Sequence, residues 1–200
     1  MNSLDVWHAL RGKLGNVGTF AGVLSSDKVR SFRIPLIRER SISFIANILR
    51  SNDRKLGHWV VFYVEASPIN RIYFYDSYGL PPDIYTLDFS KFIGHYRERG
   101  YDLYAFDKAL QGDASLICGL YCAHFIYHCT RFSISKVLRI ISQTFQKNKP
   151  LTNDRRVFDF YQKKLNTKEC SYWKAIDKSL VTYRQCVNAR KKKDKKKKVG

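Results

Sequence analysis

GHWVVFYVEASPINRIYFYDSYGLPP (57–82) decides how the chain is read. HWVVFYVE (58–65) and RIYFYDSY (71–78) are dense in β-branched and aromatic residues, the composition that favours a pleated, buried strand. ASPIN (66–70) between them supplies Pro and Asn for a turn, so the two runs form a hairpin, and GLPP (79–82) stops the second strand. SISFIANI (41–48) is a further strand, SNDRKLG (51–57) a polar turn and YDLYAFDKAL (101–110) another strand. Helices are expected over 4–11, 86–98, from Cys118 to Cys129, over 133–147 with Ser133 as cap, and over 153–165. The glycine-rich stretch 12–22 reads as loop. Strands with helices around them give an α+β fold, a central mostly antiparallel or mixed sheet flanked by helices.

The 200 residues fit one domain over 1–186 and a basic disordered tail over 187–200. At 44% apolar residues the composition is globular. No apolar run is long enough for a membrane span and the N-terminal stretch has no signal-peptide core, so a soluble chain in a reducing compartment is expected. The five cysteines (118, 122, 129, 170 and 186) are odd in number and lack a CxxC pair, which argues against a disulfide scaffold and against structural zinc. Net charge is +19; the tail RKKKDKKKK (190–198) contributes +7 and residues 1–189 keep +12. A body that basic is suited to a polyanion, nucleic acid above all.

LQGDASLICGLYCAHF (110–125) carries the chemistry-bearing residues. Cys118 opens a helix, where unpaired N–H groups and the macrodipole favour a thiolate. His58 opens one strand and Asp76 ends its antiparallel neighbour, so the pair can lie side by side, with the acid fixing the imidazole. Gly119 leaves room for a substrate backbone beside the thiol. Gln111 and the Cys118 backbone N–H are candidate donors to an oxyanion. Each residue also has an ordinary reading: a core cysteine, a strand-edge histidine, a turn-capping aspartate. Cys122 and Cys129 share the apolar helix face with Phe125 and read as core. Zinc held by Cys118, Cys122, His124 and His128 fails because the histidines lie off the cysteine face. No metal or small-molecule cofactor is expected.

The three blocks GHWVVFYVE, RIYFYDSYGLPP and LQGDASLICGLYC resemble, in order and spacing, the adenovirus maturation protease (adenain) family of cysteine endopeptidases. FAGVLSSDKVRSF (20–32) and VFDFYQKKLNTKECSYW (157–173) resemble its flanking segments. The resemblance implies Cys118 as nucleophile, His58 as general base and acid, Asp76 as its orienting partner and Gln111 as part of an oxyanion hole, with Trp59 and Gly119 in support. Where this chain has Asp76 the adenovirus enzyme has Glu; the related ubiquitin-like-modifier proteases commonly have Asp. The family implies viral precursor proteins as substrates, cut at Gly-containing sites, a monomer in the virion and host nucleus, and activation by DNA and a disulfide-linked basic peptide. The stretch 95–110 contains no cysteine for that peptide, and the Lys-rich tail departs from the family pattern, pointing to an adenovirus-like virus or a virus-derived transposon. Two alternatives stand beside this reading: a protease for ubiquitin-like modifiers, and a catalytically inert nucleic-acid-binding protein.

Overall fold

The computed structural model describes residues 20–35, 41–55, 57–113 and 115–165. The readings made for 4–11, for the basic tail and for Cys170 and Cys186 lie outside them. Five strands, β1 (Phe20–Leu24), β2 (Ser41–Asn47), β3 (Trp59–Glu65), β4 (Arg71–Tyr75) and β5 (Asp102–Ala105), form one sheet in chain order. The central pairs β2–β3 and β3–β4 are antiparallel; the edge pairs β1–β2 and β4–β5 are parallel. A parallel neighbour needs a crossover. Each crossover here carries a helix, α1 (Ser26–Ser31) after β1 and α2 (Leu87–Arg97) after β4. Three more helices follow β5: α3 (Cys118–Cys129), α4 (Ile134–Thr144) and α5 (Pro150–Leu165). The class is α+β with a mixed sheet.

Strand alternation splits the core in two. Val60, Phe62 and Val64 of β3 face one way, with Phe44, Phe74, Phe89 and Phe92, under α1 and α2. Trp59, Val61 and Tyr63 face the other way, with Ile45 and Tyr75, under α3. Both faces are covered, which is why β3 reads as an unbroken apolar run. On the second face α4 and α5 pack against α3, so α3 is enclosed and ten of its twelve residues are buried.

The two central strands, the 66–70 turn and the α3 boundaries follow the sequence reading. Four elements differ. Phe20–Leu24, mostly inside the stretch read as loop, is a strand: it pairs with β2 through a bulge at Gly22, whose φ of 120° suits glycine. The helix Ser26–Ser31 was not anticipated; six residues carry too little periodicity to show. β5 ends at Ala105 because the chain then turns across 76–79, with Leu110 N donating to Ser77 O at 2.8 Å. α5 begins at Pro150, three residues early, its fixed φ suited to a helix start. Ser133 occupies the N-cap position of α4 without a side-chain cap bond.

Phe62 is fully buried and its ring lies 5.1–5.4 Å from those of Phe44, Phe74, Phe89 and Phe92. Phe62→Ala is expected to lower unfolding stability by about 3–5 kcal/mol, measured by urea denaturation; a loss below about 1 kcal/mol would contradict this packing.

Candidate active site

The hairpin sets the first contact. Its register pairs Val61 with Tyr75, and carried past the strand ends it sets His58 opposite Tyr78, with Asp76 on the diagonal. His58 Nε2 and Asp76 Oδ1 are 2.5 Å apart. The Tyr78 ring stacks on the imidazole at 4.7 Å and 30°, and the Tyr85 ring lies 5.5 Å away.

Asp76 has no exposed surface. A buried carboxylate is tolerable only when its oxygens are paired, and here they accept four hydrogen bonds. Oδ1 takes His58 and the Tyr78 N–H at 3.1 Å; Oδ2 takes the Leu80 N–H at 3.0 Å and the Tyr85 hydroxyl at 2.7 Å. Burial pushes the Asp76 pKa up, but His58 and the donors from Tyr85 and Leu80 outweigh it and hold the pKa below its ordinary value. Tyr85, half-buried and donating to Asp76, has its own pKa pushed far up, by desolvation first and then by Asp76.

The Cys118 side chain is the second group, after Asp76, that raises the imidazole's pKa, so it lies near the ring. With Nε2 occupied by Asp76, Nδ1 is the nitrogen left for sulfur. Burial disfavours the imidazolium, but Asp76 and Cys118 prevail and raise His58 to about 9. Cys118 is 8% exposed at the first position of α3. Helix geometry leaves the Cys118 and Gly119 N–H groups without intrahelical acceptors. Gly119 is buried behind the thiol. Cys122 and Cys129 lie deeper on the helix, and burial pushes both thiols well above their ordinary range. The His124 and His128 rings meet edge to face, 4.5 Å apart, near Phe160, and burial pulls His124 down to about 3. Among the described residues no three His, Cys, Asp or Glu side chains gather as a metal-binding group. The Cys118, Cys122 and Cys129 thiols are free.

Gln111 is buried and held on every side. Its Oε1 accepts from the Ser77 hydroxyl at 2.7 Å, and its Nε2 donates to the Ser115 carbonyl at 2.7 Å and to the Tyr78 hydroxyl at 3.2 Å. Both amide protons are therefore engaged within the protein. Gly79 makes this possible. Its φ is +71°, and a Cβ there would lie 2.6 Å from the Lys108 carbonyl carbon. Only glycine lets 108–111 cross the 76–79 turn this closely. The Leu110 carbonyl is then held by Asn153 Nδ2 at 3.1 Å. Tyr121 gives its one hydroxyl proton to the buried Asp154 at 2.8 Å, whose pKa burial pushes up to about 6.

Of the residues singled out from sequence, His58, Asp76 and Cys118 converge. Gln111 joins them through Tyr78, Gly119 follows the thiol, and Trp59, 4% exposed, belongs to the core beneath α3. Tyr78, Tyr85 and Ser77 were missed. Ser77 and Tyr78 directly follow Asp76 in the chain, the one signal that could have found them; nothing local marks Tyr85. No protein-family model and no curated protein matches the chain.

Because folding raises His58 from 6.5 to about 9, the stabilisation from its pairing is complete below about 6.5 and is lost as pH rises through about 9. The His58 ring signal in NMR is expected to titrate near 9, and Asp76→Asn to bring it down while the stability gap between wild type and variant closes over that interval. A wild-type midpoint at or below 6.5 would contradict the pairing.

Proposed function

We propose that the chain is a cysteine-type endopeptidase in which Cys118 is the nucleophile, His58 the general base and acid, and Asp76 the group that orients His58. The observation that carries this reading is one imidazole paired with a fully buried carboxylate and close enough to a thiol at a helix start for that thiol to raise its pKa.

The chemistry follows from that placement. The Cys118 proton passes to His58, and sulfur attacks the scissile carbonyl. Negative charge develops on the carbonyl oxygen, where the Cys118 N–H and the Gln111 Nε2–H are the donors. Gln111 meets the oxyanion by giving up its bond to the Ser115 carbonyl. His58 then delivers its proton to the departing amine, leaving a thioester on Cys118. Water, deprotonated by His58, attacks the thioester; the acid product leaves and the proton returns to sulfur. Asp76 stays ionised throughout and holds the ring in one orientation.

The resemblance of the three sequence blocks to the adenain family extends the proposal. The fold is an adenain-like cysteine protease fold, the substrates are viral precursor proteins cut at Gly-containing sites during virion maturation, and DNA, drawn by the basic surface and Lys-rich tail, stimulates cleavage. A second reading, a protease for ubiquitin-like modifiers, is favoured by the aspartate at position 76.

Peptides containing paired glycines are expected to be cleaved by the full chain, faster with duplex DNA. Cys118→Ser is expected to abolish cleavage, and Gln111→Ala to lower kcat by about 10²–10³ with little change in KM. Cleavage of modifier conjugates but not of these peptides would favour the second reading. Proteolysis that survives Cys118→Ser would overturn both.

A further inference from the structure

We propose that the concave surface at the C-terminal end of α2, built by Arg33, His95 and Arg99, binds phosphate groups and seats the backbone of a nucleic acid. It lies at the opposite end of β3 and β4 from His58 and Asp76, and roughly 16 Å along α2 from the end that Tyr85 precedes. It does not depend on the protease reading.

The cavity holds about 720 Å³ between the segment after α1, the 66–70 turn and the end of α2. Ser67 and Asn70 line its other wall. Arg99 Nη1 donates to the His95 carbonyl at 2.8 Å and to His95 Nδ1 at 3.1 Å, which fixes the guanidinium beside the ring and puts the neutral imidazole's proton on Nε2. Arg33 Nη1 donates to the Phe32 carbonyl at 3.2 Å and more weakly to that of Arg30 at 3.4 Å. These bonds use one nitrogen of each guanidinium, and each has five N–H donors. The ion pairs among the described residues are Arg50–Asp88, His58–Asp76 and Arg155–Asp159, so no described carboxylate lies within ion-pair distance of Arg33 or Arg99.

Two cations therefore share a concave site with a histidine and, among the described residues, no paired anion. Their effect on His95 is visible: desolvation first, then Arg99 and Arg33, lower its pKa, with Glu98 opposing. An anion between the guanidiniums reverses that field and favours proton uptake at His95, so binding tightens toward lower pH. Phosphate fits the forked donors, which can engage two oxygens each. The cavity is far larger than one phosphate ion, and the chain carries +19 overall; both favour a nucleic-acid strand as occupant over the free ion.

The test uses the full chain. Binding of a short fluorescein-labelled DNA duplex is followed by anisotropy between ~50 and ~200 mM salt. Arg33→Gln/Arg99→Gln is compared with Arg54→Gln/Lys55→Gln, which removes the same charge from the exposed 51–55 turn. The first pair is expected to weaken binding roughly tenfold and to flatten the slope of log K against log salt by about 1.8, the second to do much less. In wild type the His95 ring signals are expected to move on adding duplex, with a raised titration midpoint. A His95 response to inorganic phosphate, with the duplex bound equally by both paired variants, would assign the site to free phosphate and overturn the nucleic-acid occupant. Equal losses in the two pairs, with His95 unmoved by either probe, would overturn the site.

Discussion

A charge in the interior must be answered by its neighbours, and the Asp76 carboxylate sets that demand here. It has no exposed surface and accepts four hydrogen bonds, from His58, Tyr78, Leu80 and Tyr85. Two come from backbone N–H groups of its own turn, so the ion folds the chain that follows it. The third fixes Tyr85 ahead of α2, and the fourth fixes the imidazole. Removing any one partner leaves a buried charge with less compensation, the costly direction for such a group. The turn in turn admits 108–111 over Gly79, and that crossing holds Gln111 and sends the chain into α3 with Cys118 at its start.

The sheet supplies rigidity where this arrangement needs it. His58 and Asp76 each sit one residue outside a strand buried on both faces, so their backbones inherit the strands' positions while their side chains leave the pleat. Three cysteines on one helix meet two environments. Cys122 and Cys129 are sealed in the core, where burial suppresses ionisation; Cys118 alone faces a histidine. The imidazole meets opposing forces, burial against its charge and two partners for it, and the partners prevail. Gln111 shows what is still closed: its amide protons serve Ser115 and Tyr78, and the proposed reaction requires one of them to be released from the Ser115 carbonyl.

Much of this was legible in the chain because the signals were long or paired. β3 and β4 are runs of β-branched and aromatic residues joined by a turn, and the α3 boundary is marked by the change from GDAS to an apolar run. His58, Asp76 and Cys118 were legible because the hairpin geometry requires the first two to meet. The short elements were not. Phe20–Leu24 is a strand only because β2 lies beside it, and its bulge glycine reads as loop. Tyr85 owes its place to the return of the chain before α2, a contact that no spacing reveals. Trp59 sits beside the histidine in sequence, but strand alternation turns it into the core under α3.

The central claim is that His58, held by Asp76, prepares the Cys118 sulfur for attack. Limiting iodoacetamide at mildly acidic pH, with each cysteine followed by mass spectrometry in the wild type and in His58→Ala, tests it without a substrate. The account predicts that Cys118 is alkylated well ahead of the other four cysteines and that this preference disappears in His58→Ala. Uniformly slow alkylation of all five, or a Cys118 preference that persists without the imidazole, would contradict it.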